Sequence, residues 1–312
     1  MHVLVTGGLG FLGRAVTLEM LAAGHHVTVM TRGRVDTKPP VGADLVTGDL
    51  RDRERLSRII QESEYEGIVH LAALTSGRGS LTDPLGYFDV NTAGTLNLLM
   101  ALDSLRNSRP PVSMVFASTN IVYGSQYSGA LSEDLAAHPE SPYAASKVAA
   151  EQLVAAYAAT GAMGAVTVRP FNISGAVDGV ADTDTARIIP NIFRAITGQL
   201  NYVTLNGDGS AVRDFVHLAD VASGIRLALS ACTPGASQII NLGSGTGTSM
   251  AAVVATAERV TGRPVTVRRM PPKSEPPKLV ADISRAHAVL EWRPARSDLG
   301  EMLTDAWKAW QP

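Results

Sequence analysis

The chain has 312 residues, of which 45% are hydrophobic and 18% are charged, as is typical of a globular protein with an ample core. Its formal net charge of −2 at pH 7 excludes a general attraction for nucleic acid or for anionic membranes. The one cysteine, Cys232, excludes an internal disulfide and a cysteine-based zinc site, and we interpret it as a buried structural thiol. A single cysteine fits a reducing, cytoplasmic setting, and we expect no metal site. Neither a signal peptide nor a membrane-spanning apolar run is visible.

The first elements of the chain predict a strand, a glycine-rich turn and a helix. The β-branched run 2–6 is typical of a buried strand, the apolar spacing over 15–23 predicts a helix, and 27–30 predicts a second strand. The glycines between the first two elements allow a tight turn, a close approach of backbone amides to a pyrophosphate, and close packing of helix on sheet. We therefore predict dinucleotide binding, with a purely structural turn as the alternative. The residues expected to contact the cofactor here are Gly7, Gly10, Phe11, Leu12 and Gly13.

The end of the second strand bears on the choice between NAD and NADP. An acidic residue there would bind the adenosine ribose hydroxyls, but the chain has Thr31 and Arg32, with Arg34 soon after. Two guanidinium groups beside a small hydroxyl suit a 2′-phosphate, so we predict NADP rather than NAD. Asp36 keeps NAD open, and the alternative for the two arginines is that they are solvated loop charges.

Two further strands, predicted over 43–47 and 67–73, end in candidate contacts for the cofactor. After the first, Asp49 could accept a hydrogen bond from the adenine amino group, or it could form a turn or cap the helix predicted over 52–62. The second ends in small residues that leave room for the cofactor, and His70 within it is expected to be a packed core histidine rather than a ligand. The expected contacts are Asp49, Leu50, Leu71, Ala72 and Ala73.

A long helix is predicted over 84–106, and it carries one unusual residue. Asparagine is mildly unfavourable in a helix interior, so we expect Asn91 to bond backbone or water near the cofactor. A strand over 112–118 follows and ends in two hydroxyl side chains, Ser118 and Thr119.

The helix predicted over 142–160 carries a tyrosine and a lysine on one face. Ser141 can cap it and Pro142 suits its first turn, which leaves Tyr143 and Lys147 four residues apart. An ammonium group near a phenol favours the phenolate, and the positive helix N-terminus acts in the same direction. Tyr143 is therefore a candidate general acid/base for a hydroxyl/carbonyl couple, whereas a solvated tyrosine–lysine pair is the alternative.

Strands and helices alternate from residue 2 to residue 170, where a sixth strand over 165–170 ends. Such alternation predicts an α/β fold with a doubly wound parallel sheet of the Rossmann type. Ligands of these sheets bind at the carboxyl ends of the strands. The glycine loop, the arginines after the second strand, the alanine turn, the paired hydroxyls and Asn172 all lie at such ends, which favours a functional Tyr143 and Lys147.

From Phe171 onward the composition shifts towards loops, which predicts a smaller mixed α/β part of the chain. The glycine-rich segment 243–248 follows a strand and precedes a helix, but no complete βαβ unit follows it, so we interpret it as a packing turn. Helices are predicted over 187–198, 218–231, 249–262, 284–291 and 298–310, and strands over 238–242, 265–269 and part of 207–217.

These motifs together resemble the extended short-chain dehydrogenase/reductase family, in its NAD(P)-dependent nucleotide-sugar epimerase/dehydratase branch. The resemblance covers essentially the whole chain and rests on Thr6–Gly13, His70–Ala73, Ser118–Thr119, Tyr123–Gly124, Tyr143 with Lys147, Arg169–Asn172 and Arg213–His217. The segments Lys278–Asp282 and Leu290–Pro294 are most similar to UDP-glucose 4-epimerases.

The resemblance implies roles for individual residues. Thr119 would hydrogen-bond the reacting sugar oxygen, Tyr143 would be the acid/base, and Lys147 would lower the pKa of Tyr143 while holding the nicotinamide ribose. Asn172 and Arg213 match positions that contact the substrate diphosphate, although Arg213 could also be a solvated turn arginine. The expected substrate contacts are Ser118, Thr119, Asn172 and Arg213.

The organisation of the chain is implied as well. We expect an NAD(P)-binding Rossmann domain over 1–170 with about 217–242, and a nucleotide-sugar-binding domain over 171–216 and 243–312. A homodimer is expected through the helices near 84–106 and 143–160.

Two departures from the family pattern narrow the function. Dehydratases of this branch carry an Asp-Glu pair after the catalytic threonine, whereas this chain has Asn120 and Ile121, so dehydration is excluded. Epimerases usually carry an arginine where the segment 270–276 has a proline, which leaves the identity of the sugar nucleotide open even if Arg269 or Lys273 substitutes.

The leading hypothesis is a UDP-hexose 4-epimerase that works through a transient 4-keto sugar. An NADPH-dependent 4-ketoreductase of a deoxysugar nucleotide is the alternative, because it would use the same residues in one direction and fits the predicted NADP preference. A non-catalytic cofactor sensor is a third hypothesis, against which the intact set of Thr119, Tyr143 and Lys147 argues.

Overall fold

The computed structural model describes residues 1–33 and 38–310, so the predicted cofactor contact Arg34 and the acidic alternative Asp36 lie outside the described residues. The chain divides into two compact units. Unit 1 comprises Met1–Val122, Ala137–Arg169 and Ala222–Ile240, and unit 2 comprises Tyr123–Ala136, Pro170–Val221 and Asn241–Pro312.

The strands are numbered in chain order. They are β1 (His2–Thr6), β2 (His26–Thr31), β3 (Ala43–Thr47), β4 (Gly67–His70), β5 (Val112–Ala117), β6 (Gly129–Leu131), β7 (Met163–Pro170), β8 (Asn172–Ser174), β9 (Ala176–Val177), β10 (Val180–Ala181), β11 (Val203–Asn206), β12 (Val212–His217), β13 (Ser237–Leu242), β14 (Gly247–Ser249), β15 (Val267–Met270) and β16 (Lys278–Ala281).

The helices are numbered in the same way. They are α1 (Phe11–Ala22), α2 (Arg53–Glu62), α3 (Pro84–Phe88), α4 (Gly94–Asp103), α5 (Pro142–Ala158), α6 (Ile188–Ile196), α7 (Leu218–Ser230), α8 (Met250–Thr261), α9 (Ser284–Leu290) and α10 (Leu299–Trp310). Short 3₁₀ turns occur at Gly79–Leu81 and Asn120–Tyr123, and a π-helical turn occupies Asp89–Ala93.

The largest sheet of the structure has seven strands in the order β13-β7-β5-β4-β1-β2-β3. The strands from β7 to β3 are parallel. The chain winds from β1 out to β3 and then crosses to β4 on the other side of β1, which confirms the predicted doubly wound parallel sheet. Because the strands are parallel, their carboxyl ends meet at one edge, and that edge collects the candidate site residues of unit 1.

Apolar side chains from sheet and helices make the core of unit 1. β4 is buried along its whole length, as expected for a parallel strand covered on both faces. One core cluster joins sheet residues such as Ile68 and Met114 to Ile59 of α2, Leu98 of α4 and Val154 of α5. This packing holds the helices that carry the candidate residues rigidly against the strand ends.

The prediction of one continuous helix over 84–106 is wrong in detail. The segment consists of α3, the π-helical turn Asp89–Ala93 and α4, which ends at Asp103. A π turn widens the helix by one residue, and such turns are frequent at functional sites. Asn91 lies inside it, and its side chain bonds to groups outside the helix, which gives a local reason for the irregularity.

Unit 2 contains smaller sheets. Its largest sheet has the order β14-β12-β16-β6, with β8 also paired to β12, and it mixes parallel and antiparallel pairs. Two further two-stranded sheets join β11 to β15 and β9 to β10. The unit therefore confirms the predicted mixed α/β C-terminal part. Its core includes Phe193 of α6 and Trp307 of α10, whose ring centroids are 5.2 Å apart.

The segment Tyr123–Ala136 belongs to unit 2, although the expected cofactor domain over 1–170 includes it. The reason is a long-range pairing, since β6 within this segment runs parallel to β16.

None of the helices in the described ranges is long and apolar enough to cross a membrane.

Candidate active site

The glycine loop between β1 and α1 is shaped by contacts that leave no room for side chains. Gly7 has a φ of +73°, and a Cβ there would lie 2.8 Å from the backbone nitrogen of Ala72. A Cβ on Gly13 would collide with the carbonyl oxygen of Gly7. At Gly10 the same oxygen would lie 3.3 Å from the added carbon, which is a milder contact. The loop therefore needs glycine at its first and third positions for backbone packing.

The start of α1 fits a pyrophosphate. Gly10 occupies the cap position and supplies no side-chain hydrogen bond, and the first intrahelical bond runs from the Arg14 nitrogen to the Gly10 oxygen at 2.9 Å. The backbone N–H groups of Phe11, Leu12 and Gly13 precede that bond, so by helix geometry they have no intrahelical acceptor. Such N–H groups at the positive end of a helix bind phosphate oxygens. The residues present therefore fit the predicted dinucleotide.

The next strand ends place the other predicted cofactor contacts. Thr31 is the last residue of β2 and Arg32 is exposed. Asp49 forms a turn with Arg51, which donates to its carboxylate at 2.9, 3.1 and 2.8 Å. These hydrogen bonds hold the pKa of Asp49 below its ordinary value. The carboxylate that caps α2 is Asp52, so the capping alternative for Asp49 is wrong.

A buried hydrogen-bond chain fixes the end of β4. His70 Nδ1 lies 2.7 Å from the Thr6 hydroxyl and Nε2 lies 3.0 Å from the Thr95 hydroxyl. The Thr95 hydroxyl donates to the Asn91 carbonyl at 2.6 Å, so Nε2 must carry the proton and donate to Thr95. The Thr6 hydroxyl then donates to Nδ1 and accepts from the Ala72 nitrogen at 3.2 Å. Burial, and to a lesser degree the charge of Lys147, lowers the pKa of His70 to about 3, so the ring is neutral, as expected of a core histidine.

Asn91 links the loop after β4 to α5. Its Oδ1 accepts from the Leu74 nitrogen at 2.8 Å, and its Nδ2 donates to the Leu74 carbonyl and to the Ser146 hydroxyl, both at 3.0 Å. Ser146 in turn donates to the Tyr143 carbonyl at 2.8 Å. The expected bonding to backbone is thus present, but the amide serves protein groups. These bonds give Asn91 a positioning role, and its contact with the cofactor stays a prediction.

Tyr143 and Lys147 lie on a buried face of α5. Ser141 caps the helix by accepting from the Ala144 nitrogen at 3.2 Å, and Pro142 is in the first turn, as the sequence predicts. Tyr143 is 5% exposed and Lys147 is 2% exposed, so the alternative of a solvated pair is wrong.

The surroundings of Lys147 change the pKa of its ammonium group. The Lys147 ammonium lies 4.1 Å from the centroid of the Phe116 ring, within range of a cation–π interaction. Burial lowers the pKa of Lys147 to about 7, although the carboxylate of Glu151 acts in the opposite direction. An ammonium that titrates near neutral pH, one turn after a buried tyrosine, supports proton transfer at the phenol.

The two hydroxyls after β5 are buried as well. Ser118 and Thr119 are each 7% exposed, and the Thr119 hydroxyl accepts from the Ile121 nitrogen at 3.3 Å. The Ser118 hydroxyl has no hydrogen-bond partner among the described residues. A buried hydroxyl without a partner is costly, which favours a ligand at this strand end.

The predicted substrate contacts of unit 2 lie on neighbouring strands. Asn172 in β8 donates to the Asp214 carbonyl of β12 at 2.7 Å. Arg213 in β12 donates to the Glu275 carboxylate at 2.6 Å and to the carbonyls of Val212 and Pro276 at 2.8 and 3.1 Å. With its side chain only 16% exposed, Arg213 is not a solvated turn arginine.

The sequence interpretation missed the partners of the site residues. Thr95 and Ser146 support the β4 end and α5, and Glu151 lies one turn after Lys147. Glu151 could have been found from the four-residue spacing on the same helix face. The pairing of Thr95 with His70 had no local signal, because 25 residues separate them.

Known proteins share this architecture. Residues 3–243 match the NAD dependent epimerase/dehydratase family. The UDP-glucose 4-epimerase of Streptomyces lividans is 33% identical over 316 residues, which cover 98% of this chain and 94% of that protein. A crystal structure of UDP-glucose-4-epimerase from Stenotrophomonas maltophila with bound NAD and formylated UDP-arabinopyranose has a TM-score of 0.91 and 32% identity, and covers 100% of this chain and 98% of its own. The Brucella ovis enzyme in complex with NAD has a TM-score of 0.90 and 31% identity, covering 99% and 98%. The chain therefore belongs to the NAD-dependent epimerase/dehydratase family, the nucleotide-sugar branch of the extended short-chain dehydrogenases/reductases.

Proposed function

We propose that the protein is a nucleotide-sugar 4-epimerase that acts on a UDP-hexose. The observation that carries the proposal is the buried Tyr143–Lys147 pair on α5, in a chain similar over its whole length to UDP-glucose 4-epimerases. The absence of an Asp-Glu pair at Asn120 and Ile121 is consistent with epimerisation rather than dehydration.

The proposed epimerisation uses residues near the carboxyl ends of the parallel strands. NAD(P), when bound, supplies the hydride acceptor and donor. The Tyr143 oxygen takes the proton from the sugar 4-hydroxyl as C4 is oxidised, and it returns that proton when C4 is reduced from the other face. The Thr119 hydroxyl hydrogen-bonds the same sugar oxygen and orients it. The Lys147 ammonium favours the ionised tyrosine and binds the nicotinamide ribose.

We propose NAD as the resident cofactor, which corrects the NADP preference predicted from Thr31, Arg32 and Arg34. The support is that the Stenotrophomonas and Brucella relatives hold NAD. Arg32 is exposed, and its charge contributes to lowering the pKa of Asp49, so it acts on a neighbouring carboxylate.

For the substrate we propose that unit 1 binds the cofactor and unit 2 binds the nucleotide sugar. In unit 2, Arg213 is the candidate for the diphosphate, since a guanidinium can make paired hydrogen bonds to phosphate oxygens. Glu275 and two backbone carbonyls hold Arg213 in place. Asn172 on the adjacent strand is the second candidate. Of the suggested replacements for the missing arginine, Arg269 donates to the Gly207 carbonyl at 3.4 Å and Lys273 is exposed.

One preparation tests both the reaction and the cofactor. The purified protein is denatured, the released nucleotide is identified by mass spectrometry, and the intact protein is incubated with UDP-galactose while UDP-glucose is followed by NMR. We expect retained NAD and interconversion without added cofactor. Protein that releases no dinucleotide but reduces a 4-keto sugar nucleotide with NADPH would instead establish the ketoreductase. Binding of NAD without any turnover would favour the sensor.

We also propose a homodimer, in which the α3–α4 region and α5 of two copies meet. Apolar side chains are exposed in this region, with Leu81 at 67%, Leu85 at 80%, Phe88 at 37% and Leu96 at 41%. An exposed apolar patch of this kind is typical of an interface. Sedimentation velocity is expected to give a dimer for the protein and a monomer for Leu85→Asp, and a monomeric parent protein would contradict the proposal.

A further inference from the structure

A buried ion pair, Glu151 with Arg169, involves the helix that carries the proposed acid/base, and the reaction described above does not use this pair. Glu151 follows Lys147 by one turn of α5 and is 3% exposed. Its carboxylate accepts from Arg169 Nε at 3.0 Å and from Arg169 Nη2 at 2.7 Å. Arg169, near the end of β7, is also 3% exposed. All three charged residues are therefore removed from solvent within unit 1.

A buried ion pair of this kind is a poor means of stabilising a fold. Burying an arginine and a carboxylate costs desolvation free energy, and apolar residues of similar volume often stabilise a protein as well or better. The two hydrogen bonds from Arg169 fix the carboxylate in one orientation. Residues four apart on a helix share a face, so that fixed negative charge lies on the face that carries Lys147.

Within the described part of the chain, Glu151 is the carboxylate that acts on the charge of Lys147. On β5 Lys147 meets the Phe116 ring, and on β4 it interacts with His70, which is neutral. On α5 itself the titratable groups of this face are Tyr143 and Glu151, and Arg169 of β7 is positive. A carboxylate in a water-excluded region acts strongly on a nearby ammonium, because little solvent screens it.

We propose that Glu151 is a positioning residue of the active site, whose carboxylate, clamped by Arg169, keeps the Lys147 ammonium charged inside the protein. Arg169 acts one step further out, because its two hydrogen bonds hold the Glu151 carboxylate in one orientation. The inference rests on the proposed function only for its consequence in turnover.

The sign of the effect follows from the titration of a lysine. Burial lowers the pKa of Lys147 to about 7, and Glu151 opposes that decrease. The ammonium is present below this pKa and is lost as the pH rises through it. Without the carboxylate, the charge would be lost at a lower pH, and any activity that needs the charged lysine would decline there as well.

The experiment measures the lysine directly. The chain contains few lysines, namely Lys38, Lys147, Lys273, Lys278 and Lys308, so ¹³Cε-lysine labelling gives a simple NMR spectrum in which Lys147→Met assigns the signal. We expect the midpoint of Lys147 in the protein as purified to fall by about one pH unit or more in Glu151→Gln. Because that variant leaves Arg169 buried beside a neutral amide, a double variant, Glu151→Met with Arg169→Met, removes both charges and is expected to fold.

A matched control keeps the interpretation specific. Glu19 pairs with Arg226 at 2.8 Å in unit 1, and both side chains are about a third exposed (32% and 30%). Glu19→Gln removes a carboxylate of the same kind from another helix and is expected to leave the Lys147 midpoint unchanged. Glu151→Asp, which keeps the charge, is expected to restore most of the midpoint lost in Glu151→Gln.

The outcomes separate this inference from the proposed function. If Glu151→Gln lowers the Lys147 midpoint but the parent protein has no epimerase activity, the proposed function is contradicted and the positioning role is retained. An unchanged midpoint in the folded double variant, with normal turnover in the parent protein, would overturn the positioning role alone. If turnover is present, the alkaline limb of its pH profile should move to lower pH together with the midpoint. Failure of both variants to fold would assign the pair a purely structural role and overturn the inference.

Discussion

Replacing Tyr143 with phenylalanine is expected to lower the turnover number by about 10³-fold, in the range found when a general acid/base is removed. The variant lacks only the phenolic oxygen, and that oxygen is the proposed acceptor of the sugar 4-hydroxyl proton. The ring would keep its place, because Tyr143 is buried and packs edge-on against Tyr87 with centroids 6.1 Å apart. Cofactor content and melting temperature should therefore stay close to those of the parent protein.

Tyr87 provides the matched control for this change. It is also a buried tyrosine of unit 1, on α3, and Tyr87→Phe removes a phenolic oxygen while keeping the same ring contact. We expect Tyr87→Phe to keep turnover within a few-fold of the parent. If Tyr143→Phe retained more than a tenth of the parental turnover, the acid/base assignment would be wrong.

The fold of unit 1 could be predicted largely from local patterns. The buried parallel strands are visible in the sequence as short β-branched runs, such as His2–Thr6. The glycines that follow this strand indicate a turn whose backbone packing excludes side chains. The strands of unit 2 were harder. β6, β8 and β14 have three residues each, which is too short to show a period of two, and their existence depends on partners far along the chain, as in the pairing of β6 with β16.

The candidate site divides in the same way. Tyr143 and Lys147 were predictable because a helix places residues four apart on one face, and the cap at Ser141 fixed where that helix begins. Whether the face is buried was not predictable, since burial depends on Phe116 from a distant strand. The arginines after β2 show the same limit, because a guanidinium in a loop can act on a neighbouring carboxylate, as Arg32 does on Asp49, as well as on a ligand.

The second large effect is expected from Gly13→Ala. Helix propensity alone predicts a gain of up to about 1 kcal/mol when alanine replaces glycine within a helix. The structure predicts the opposite, because the added Cβ would collide with the Gly7 carbonyl oxygen and lie 2.7 Å from the Gly8 Cα, and both are backbone atoms. Overpacking of this kind costs about 1–3 kcal/mol in the free energy of unfolding.

Relief of that collision must move the loop that carries the Phe11 and Leu12 amides, so NAD affinity should fall by roughly 100-fold, equivalent to about 3 kcal/mol of binding free energy. Gly10→Ala, whose Cβ meets the same oxygen at 3.3 Å, should give a smaller loss of stability. Gly77→Ala meets nothing within 4 Å and is the control that should change neither property. Chemical denaturation and calorimetric titration with NAD measure the two quantities. A Gly13→Ala protein that is more stable than its parent and binds NAD normally would show that propensity outweighs the collision, and the pyrophosphate would then have to bind away from this turn.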